Sequence, residues 1–318
     1  MWCFILKGFF AERNSMNQNQ FSAFITIVGR PNVGKSSILN KILGEKIAIV
    51  TNKPQTTRTR IMGVLTEGDY QLVFTDTPGM HKAKNALGKY MVRSVKESVS
   101  SADAALLVVD ATEEISDTEK SLIESINAQN LTCVLAINKT DLVKDKTDLM
   151  KVIADYAALC NFEAVVPVSA RTGEGLRDLV EELKKLSSDG GHFFDADTLT
   201  DQPERQLASE MLREKLLLCL DKEIPHGTAV VIEKMRQRES SEVLDIEATI
   251  YCERDSHKGI IIGKGGNMLK KVSTKAREDM ERFFDCKVNL QTWVKVKEDW
   301  RNRDGLLRNF GFDSSDFE

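Results

Sequence analysis

From Phe24 onward the chain alternates short apolar runs rich in β-branched residues with longer stretches in which apolar residues recur every three or four positions. FITIVG, QLVFTDTPG, AALLVVD, TCVLAINK and AVVPVSA read as five strands, apolar at successive positions and therefore buried on both faces. ILNKILG, ALGKYMVRSVKESV, TEKSLIESINAQ, DLMKVIADYAALC and LRDLVEELKKL read as the helices between and after them. Strands alternating with helices predict an α/β fold, a doubly wound and mostly parallel sheet with helices on both faces. RIMGVLTEG, residues 60–68, predicts one more strand, antiparallel to QLVFT.

The pattern breaks at SSDGGHFFDADTLTDQPER, where Gly, Asp, Ser and Pro predict a linker. Beyond it the order changes to a helix (QLASEMLREKLLLCLDKEI), two strands (TAVVIEKMRQR, EVLDIEATIYCER), a glycine turn, a helix (NMLKKVSTKAREDMERFF) and a strand (KVNLQTWVKVK), which together predict a compact α+β module. The expected division is an N-terminal extension without predicted order at 1–21, the α/β domain at 22–187, the linker at 188–205, the α+β module at 206–303 and an acidic tail at 304–318.

Composition changes this picture little. A length of 318 residues suits two cores, since single cores seldom grow past roughly 250–300 residues. The six cysteines are scattered without CxxC spacing, which argues against a zinc site or a disulfide framework and fits a reducing cytoplasm. The opening MWCFILKGFF is interrupted by Lys7 and followed by no small-residue cleavage site, unlike a secretion signal. Met16 offers a second start, which would make residues 1–15 an upstream extension. Charge is more informative. The net charge is −4, but residues 255–303 hold twelve Lys/Arg against seven Asp/Glu, so a basic segment sits on an otherwise acidic chain and predicts a local polyanion contact.

GRPNVGKSS follows the first strand and runs into a helix, the setting of a phosphate loop. Gly29, Arg30, Pro31, Asn32, Val33, Gly34, Lys35, Ser36 and Ser37 form the expected cup, with glycines letting backbone N–H groups converge on phosphate. Lys35 would neutralise β and γ phosphates, and Ser36 would place its hydroxyl on Mg2+. Asp76, Thr77, Pro78 and Gly79 end the next parallel strand, setting a carboxylate beside the metal and the Gly79 N–H near the γ phosphate. Asn138, Lys139 and Asp141 follow strand TCVLAI; a carboxylate at Asp141 accepts from both N1–H and the amine of guanine, which adenine cannot match. Asn138 can tie this loop to the phosphate loop, the Lys139 stem can lie over the base, and Ser169-Ala170-Arg171 would bring a backbone N–H to guanine O6. Each motif alone has a bland reading as a turn or cap; the ordered set at strand ends predicts GTP/GDP binding.

With these motifs the chain resembles the translation-factor-related GTPases and, within them, the Era family, from about residue 22 to the end. The resemblance makes TNKPQTTRTR, residues 51–60, the first switch loop and implies that Thr57 meets Mg2+ in the GTP state; Thr56 beside it is the alternative, since spacing does not separate them. Met80 stands where many small GTPases place a water-orienting glutamine, and a thioether cannot do that work. Asn32 is the asparagine that such relatives use to coordinate K+, so K+ is a candidate catalytic cofactor. Lys35, Asn32, Thr57 and Gly79 are thus the expected catalytic set.

A second glycine-lysine loop, GIIIGKGGNMLKK at 259–271, has no GK[ST] and no parallel strand leading into it. An apolar segment, a GxxG turn and a long basic helix match a K-homology (KH) fold, in which Gly263, Lys264, Gly265 and Gly266 clamp single-stranded nucleic acid. Ile261 and Ile262 are the expected floor for bases, and Lys264, Lys270 and Lys271 the phosphate contacts. The order of elements resembles the type II KH domain that closes Era proteins. That resemblance implies a GTP-hydrolysing switch that binds the 3′ end of 16S rRNA in assembly of the small (30S) ribosomal subunit, with no small-molecule substrate besides GTP. Two rival readings are an RNA chaperone with a structural nucleotide and a membrane-surface GTPase, the latter prompted by WCFILKGFF. The expected location is cytoplasmic, with peripheral contact at the inner membrane as a further expectation.

Overall fold

The computed structural model describes residues 20–80, 83, 85–239 and 241–312. Most of the expected N-terminal extension, His81, Lys82 and Lys84 just after Asp76–Gly79, and residues 313–318 of the expected tail lie outside the described residues.

The strands of the first half are β1 (Phe21–Val28), β2 (Ile61–Glu67), β3 (Tyr70–Asp76), β4 (Ala104–Asp110), β5 (Thr132–Asn138) and β6 (Ala164–Pro167). They lie in the order β2-β3-β1-β4-β5-β6, all parallel except β2, which runs antiparallel to β3 as its sequence predicts. Along the central strands alternate residues go to opposite faces. Ile25, Ile27, Leu106, Val108, Val134 and Ala136 pack against helices α1 (Lys35–Leu43) and, further along, Leu176–Lys184. Val28, Leu107, Val109, Leu135 and Ile137 pack against α2 (Ala86–Ser100), α3 (Asp117–Ala128) and α4 (Lys146–Ala157). Helix Leu176–Lys184 is α5. Covering both faces explains why these strands read as continuous apolar runs.

The stretch expected as a linker is packed along the sheet. It begins with β7 (Ser188–Asp189), antiparallel to β1. Farther on, Gln71 Oε1 accepts the N–H groups of Phe193 and Phe194 (2.8 and 3.0 Å). The edge strand β2 gives its Val64 N–H to Leu199 O at 2.9 Å, so an otherwise open row of donors is covered. Gly and Pro in this segment mark irregular backbone; they say nothing about whether it docks.

The second half is a three-stranded sheet, β8 (Ala229–Gln237), β9 (Val243–Cys252) and β10 (Lys287–Val296), in the order β10-β9-β8 with β9 and β10 parallel. One face carries α6 (Glu204–Cys219), α7 (Asp255–Ile262) and α8 (Asn267–Phe283) around Leu212, Leu216, Ile246, Ile250, Ile261 and Met280. The expected acidic tail needs correction over its described part. Residues Asp304–Asn309 form α9, and Trp300, Leu307, Phe310 and Phe312 pack with Leu87, Met91 and Tyr90 of α2 at the domain junction. Apolar residues at 306, 307, 310 and 312 outweigh the local acidic composition. No described helix is long and apolar enough to cross a membrane.

Candidate functional site

The motif loops leave the C-terminal ends of β1, β3, β5 and β6, beside the point where the strand order reverses, which is where doubly wound sheets bind ligands. Together they line a cavity of about 1040 Å³. The phosphate loop bends through left-handed backbone at Asn32 (φ 65°) and Gly34 (φ 101°). A Cβ at Gly34 would collide with the Asn138 amide, and one at Gly79 with Pro31, so the loop tolerates no side chain at either contact.

Lys35 is buried, and its Nζ donates to the carbonyls of Gly29 (3.2 Å) and Arg30 (3.0 Å). Burial lowers its pKa to about 8 although Asp76 opposes this. Asp76 is pushed up to about 6, again by burial, against the pull of Lys35 and of hydroxyls from Ser36 and Thr57. Ser36 Oγ donates to Asp76 Oδ2 at 2.5 Å and lies 3.0 Å from Thr57 Oγ1. Among the described residues, Asp76 Oδ1 is buried without a hydrogen-bond partner. This group of hard oxygens fits Mg2+. Thr56 is turned elsewhere, its hydroxyl engaged by Thr51 Oγ1 (2.7 Å) and Lys53 O (2.6 Å).

Several motif residues support the site from behind. The Arg30 side chain points away to Glu113 and Glu119, both at 2.9 Å, leaving only its backbone to the cup. Thr77 Oγ1 donates to Ile27 O (2.8 Å), and Val33 and Pro78 are buried. Ser37 lines the cavity. Met80 packs on the core while its N–H donates to Gly29 O at 3.3 Å. Asn32 Nδ2 reaches across to Asn52 O in the first switch loop (3.0 Å).

At the base end, Asn138 Nδ2 donates to Val33 O at 2.7 Å, the tie between loops that the sequence predicts. Lys139 takes left-handed backbone (φ 66°), and its ammonium meets Asp110 at 2.5 Å. Asp141 is oriented by the Ser169 hydroxyl (2.6 Å) and paired with Arg171 (2.8 Å). One expectation changes here: the Ala170 N–H is donated to Asn138 Oδ1 at 3.0 Å, so a contact with O6 requires that bond to be shared or exchanged. Sequence reading missed Leu142, whose apolar side chain also lines the cavity, and missed the second domain altogether: Glu214, Lys215 and Leu218 of α6 reach the same cavity.

The first switch loop is itself bound to the second domain. Arg58 is buried, with NH1 donating to Thr228 O and NH2 to His226 O, each at 2.7 Å, and its guanidinium stands 5.9 Å from the Trp300 ring centre. Lys53 donates to Leu220 O, and Arg213 to Thr56 O.

At the second glycine loop, α7 and α8 flank a turn with positive φ at Gly263, Gly265 and Gly266. Among the described residues nothing would meet a Cβ at Gly265 or Gly266, whereas one at Gly263 would strike Met268. Lys264, Lys270 and Lys271 are exposed. The expected apolar floor is corrected: Ile261 is 0% exposed inside the core, Ile262 is half-buried, and Ile260 at 49% is the exposed one. Helix α7 runs up to the glycine and turns Ile261 inward, a rotation invisible in a run of three isoleucines.

Residues 24–139 match the family described as 50S ribosome-binding GTPase, and residues 223–301 match the KH domain family. The chain is 46% identical over 291 residues to GTPase Era of Clostridioides difficile, covering 92% of this chain and 98% of that protein. To GTPase Era of Ruminiclostridium cellulolyticum it is 47% identical over 292 residues, covering 92% and 97%. Among solved structures, a variant of Aquifex aeolicus Era bound to GDP and AlF4− aligns with a TM-score of 0.89 at 35% identity, covering 92% of this chain and 99% of that one. A structure of Era with MgGDPNP and nucleotides 1506–1542 of 16S ribosomal RNA aligns equally well, with a TM-score of 0.89 at 35% identity. Likeness of this extent runs through both domains and through the motif loops at the sheet's edge, and the chain belongs to the Era family of GTPases.

Proposed function

We propose that this chain is a GTP-hydrolysing switch whose KH domain binds single-stranded RNA, the 3′ end of 16S rRNA, during assembly of the 30S subunit. The observation that carries the reading is the double attachment of residues 51–58. Thr57 closes onto Ser36 beside Asp76, while Lys53, Thr56 and Arg58 in the same loop bond the second domain. Ordering of this loop by nucleotide therefore changes what holds the KH domain. The relatives support the RNA target, since one was solved with MgGDPNP and that part of 16S rRNA.

In this mechanism Lys35 meets the β and γ phosphates from the floor of the cup, and Ser36, Thr57 and Asp76 hold Mg2+. When bound, Mg2+ neutralises charge on the phosphate oxygens. Gly79 brings its N–H toward the γ phosphate, and Asp141 reads the guanine edge. Met80 orients no water, because its side chain packs in the core. Asn32, whose Nδ2 donates to Asn52 O, would hold K+ through its amide oxygen, and K+ there would supply the positive charge that an arginine finger supplies elsewhere. The exposed Lys264, Lys270 and Lys271 contact RNA phosphates, and Ile260, in place of Ile261, offers the apolar contact to bases. Working units at 22–187 and 206–303, joined by 188–205, act in the cytoplasm, with any inner-membrane contact peripheral.

RNA affinity measured with GDP and with a non-hydrolysable GTP analogue tests the switch, because coupling demands a differential affinity. Equal affinities sink it. Single-turnover hydrolysis by purified protein separates it from an RNA chaperone with a structural nucleotide, which would leave GTP uncleaved even with K+ and RNA.

A further inference from the structure

The nucleotide cavity does not end at the GTPase domain. Its lining includes Lys46, Val50 and Thr51, the approach to the first switch loop, and Glu214 and Leu218 of α6 in the KH domain. Val50 and Leu218 expose 39% and 53% of their surfaces there. Glu214 is 2% exposed and uses both carboxylate oxygens. Oε1 accepts the backbone N–H of Val50 at 3.0 Å; Oε2 accepts Lys46 Nζ at 2.6 Å and Lys215 Nζ at 2.7 Å. Lys46 also reaches Asp279 on α8 at 2.9 Å, the helix that follows the GxxG turn. A buried carboxylate is tolerated only with such partners, and two of its three donors belong to the other domain's segment 46–50.

We infer that Glu214, although it lies in the KH domain, is a positioning residue of the nucleotide site: it fixes segment 46–51 as a wall of the cavity and slows nucleotide release. This rests on the nucleotide-binding reading above. In this inference a nucleotide leaves past Val50 and Thr51 and lifts that segment, and lifting it breaks a backbone bond and an ion pair to one carboxylate. The domain that faces RNA thereby acts as a brake on exchange, independently of the hydrolytic step.

The test is dissociation of a fluorescent GDP from the full chain, chased with excess GDP in Mg2+ buffer. Glu214→Ala should speed release roughly tenfold, the loss of a charge-assisted buried bond. Glu214→Gln, which keeps an acceptor for Val50 N–H but turns an amide N–H2 toward Lys46 and Lys215, should recover only the part of the native rate that the backbone bond supplies. Lys46→Met should speed release too, and its effect should not add to that of Glu214→Ala. Ser209→Ala, which removes a bond from α6 to Val230 O inside the KH domain (2.8 Å) and touches no switch residue, is the control. Release from Glu214→Ala and Lys46→Met within twofold of native overturns the inference, as does equal acceleration by Ser209→Ala. Failure of the native protein to bind the probe at all would instead overturn the nucleotide reading.

Discussion

Thr57 Oγ1 lies 3.0 Å from Ser36 Oγ, although 21 residues separate them in the chain. That contact distinguishes the two adjacent threonines that sequence spacing leaves equivalent. Thr57→Ala should lower Mg2+-dependent hydrolysis on the order of 100-fold, as loss of one preorganised electrostatic partner does. Thr56→Ala, which removes only bonds to Thr51 and Lys53, should stay within a few-fold of native by the same reasoning. Single-turnover rates for the two variants decide the assignment; a reversed ranking refutes it.

The Asn32 amide bonds Asn52 O across the cavity mouth. With K+ on the amide oxygen of Asn32 as proposed, turnover should be faster in K+ than in Na+ by roughly tenfold, a modest electrostatic gain, and Asn32→Ala should erase the difference. Equal turnover of the native protein in the two buffers removes K+ from the mechanism.

The Ser169 hydroxyl donates to Asp141 Oδ1 at 2.6 Å, and in the proposed reading the Asp141 carboxylate accepts two hydrogen bonds from guanine. Asp141→Asn should weaken GTP binding by about 1.5–3 kcal/mol per charge-assisted bond lost. It should also improve relative binding of xanthosine triphosphate, whose second oxygen can accept from the new amide. A variant that keeps its preference for GTP in competition titrations would mean that Asp141 is not the reader.

Burial leaves Lys35 near 8 and Asp76 near 6. Lys35 must be protonated to meet phosphate, so bound nucleotide raises its pKa; affinity is full below about 8 and falls as pH rises through that value. Asp76 works in the opposite sense: it must be ionised to hold Mg2+, so Mg2+ affinity falls as pH drops through about 6. Titrations of GDP from pH 7 to pH 9.5 and of Mg2+ from pH 7 to pH 5 should show these two limbs. A flat profile for GDP would place Lys35 away from the phosphates.

At the KH turn, Gly265→Asp with Gly266→Asp adds two anions on left-handed backbone where no described residue would meet a Cβ. Affinity for a short single-stranded RNA should fall steeply with the fold kept. Lys264→Ala should reduce the dependence of log K on log salt by roughly 0.7, the value for one neutralised phosphate on a single strand. An unchanged slope would mean that Lys264 is merely solvated.

The parts of the site that were legible in the sequence are those where chemistry depends on local order. Gly34, Lys35 and Ser36 must be adjacent to make a cup, and Asn138 with Asp141 must share one loop, so short strings reveal them. What stayed hidden depends on rotation or on distant packing. Ile260 and Ile261 differ by one helical step, yet one is exposed and the other is core. Arg213 and Glu214 look like surface charges of an amphipathic helix; they are buried and bonded to Thr56, Lys46 and Val50 of the other domain. The 188–205 stretch shows its Gly, Asp and Pro but conceals the docking of Leu199 on Val64, and the acidic letters near the end mask Leu307 and Phe310.

Trp300 closes the junction against Leu87 and Met91 of α2 from the far end of the chain. During synthesis at roughly 5–20 residues per second, α2 therefore waits on the order of 10–40 s for its partner to be made. Throughout that interval Leu87 and Met91 lack the indole of Trp300, a fully buried member of their cluster. Docking of the domains is thus a late event of translation, and a ribosome that pauses within the KH coding region holds out a half-finished junction.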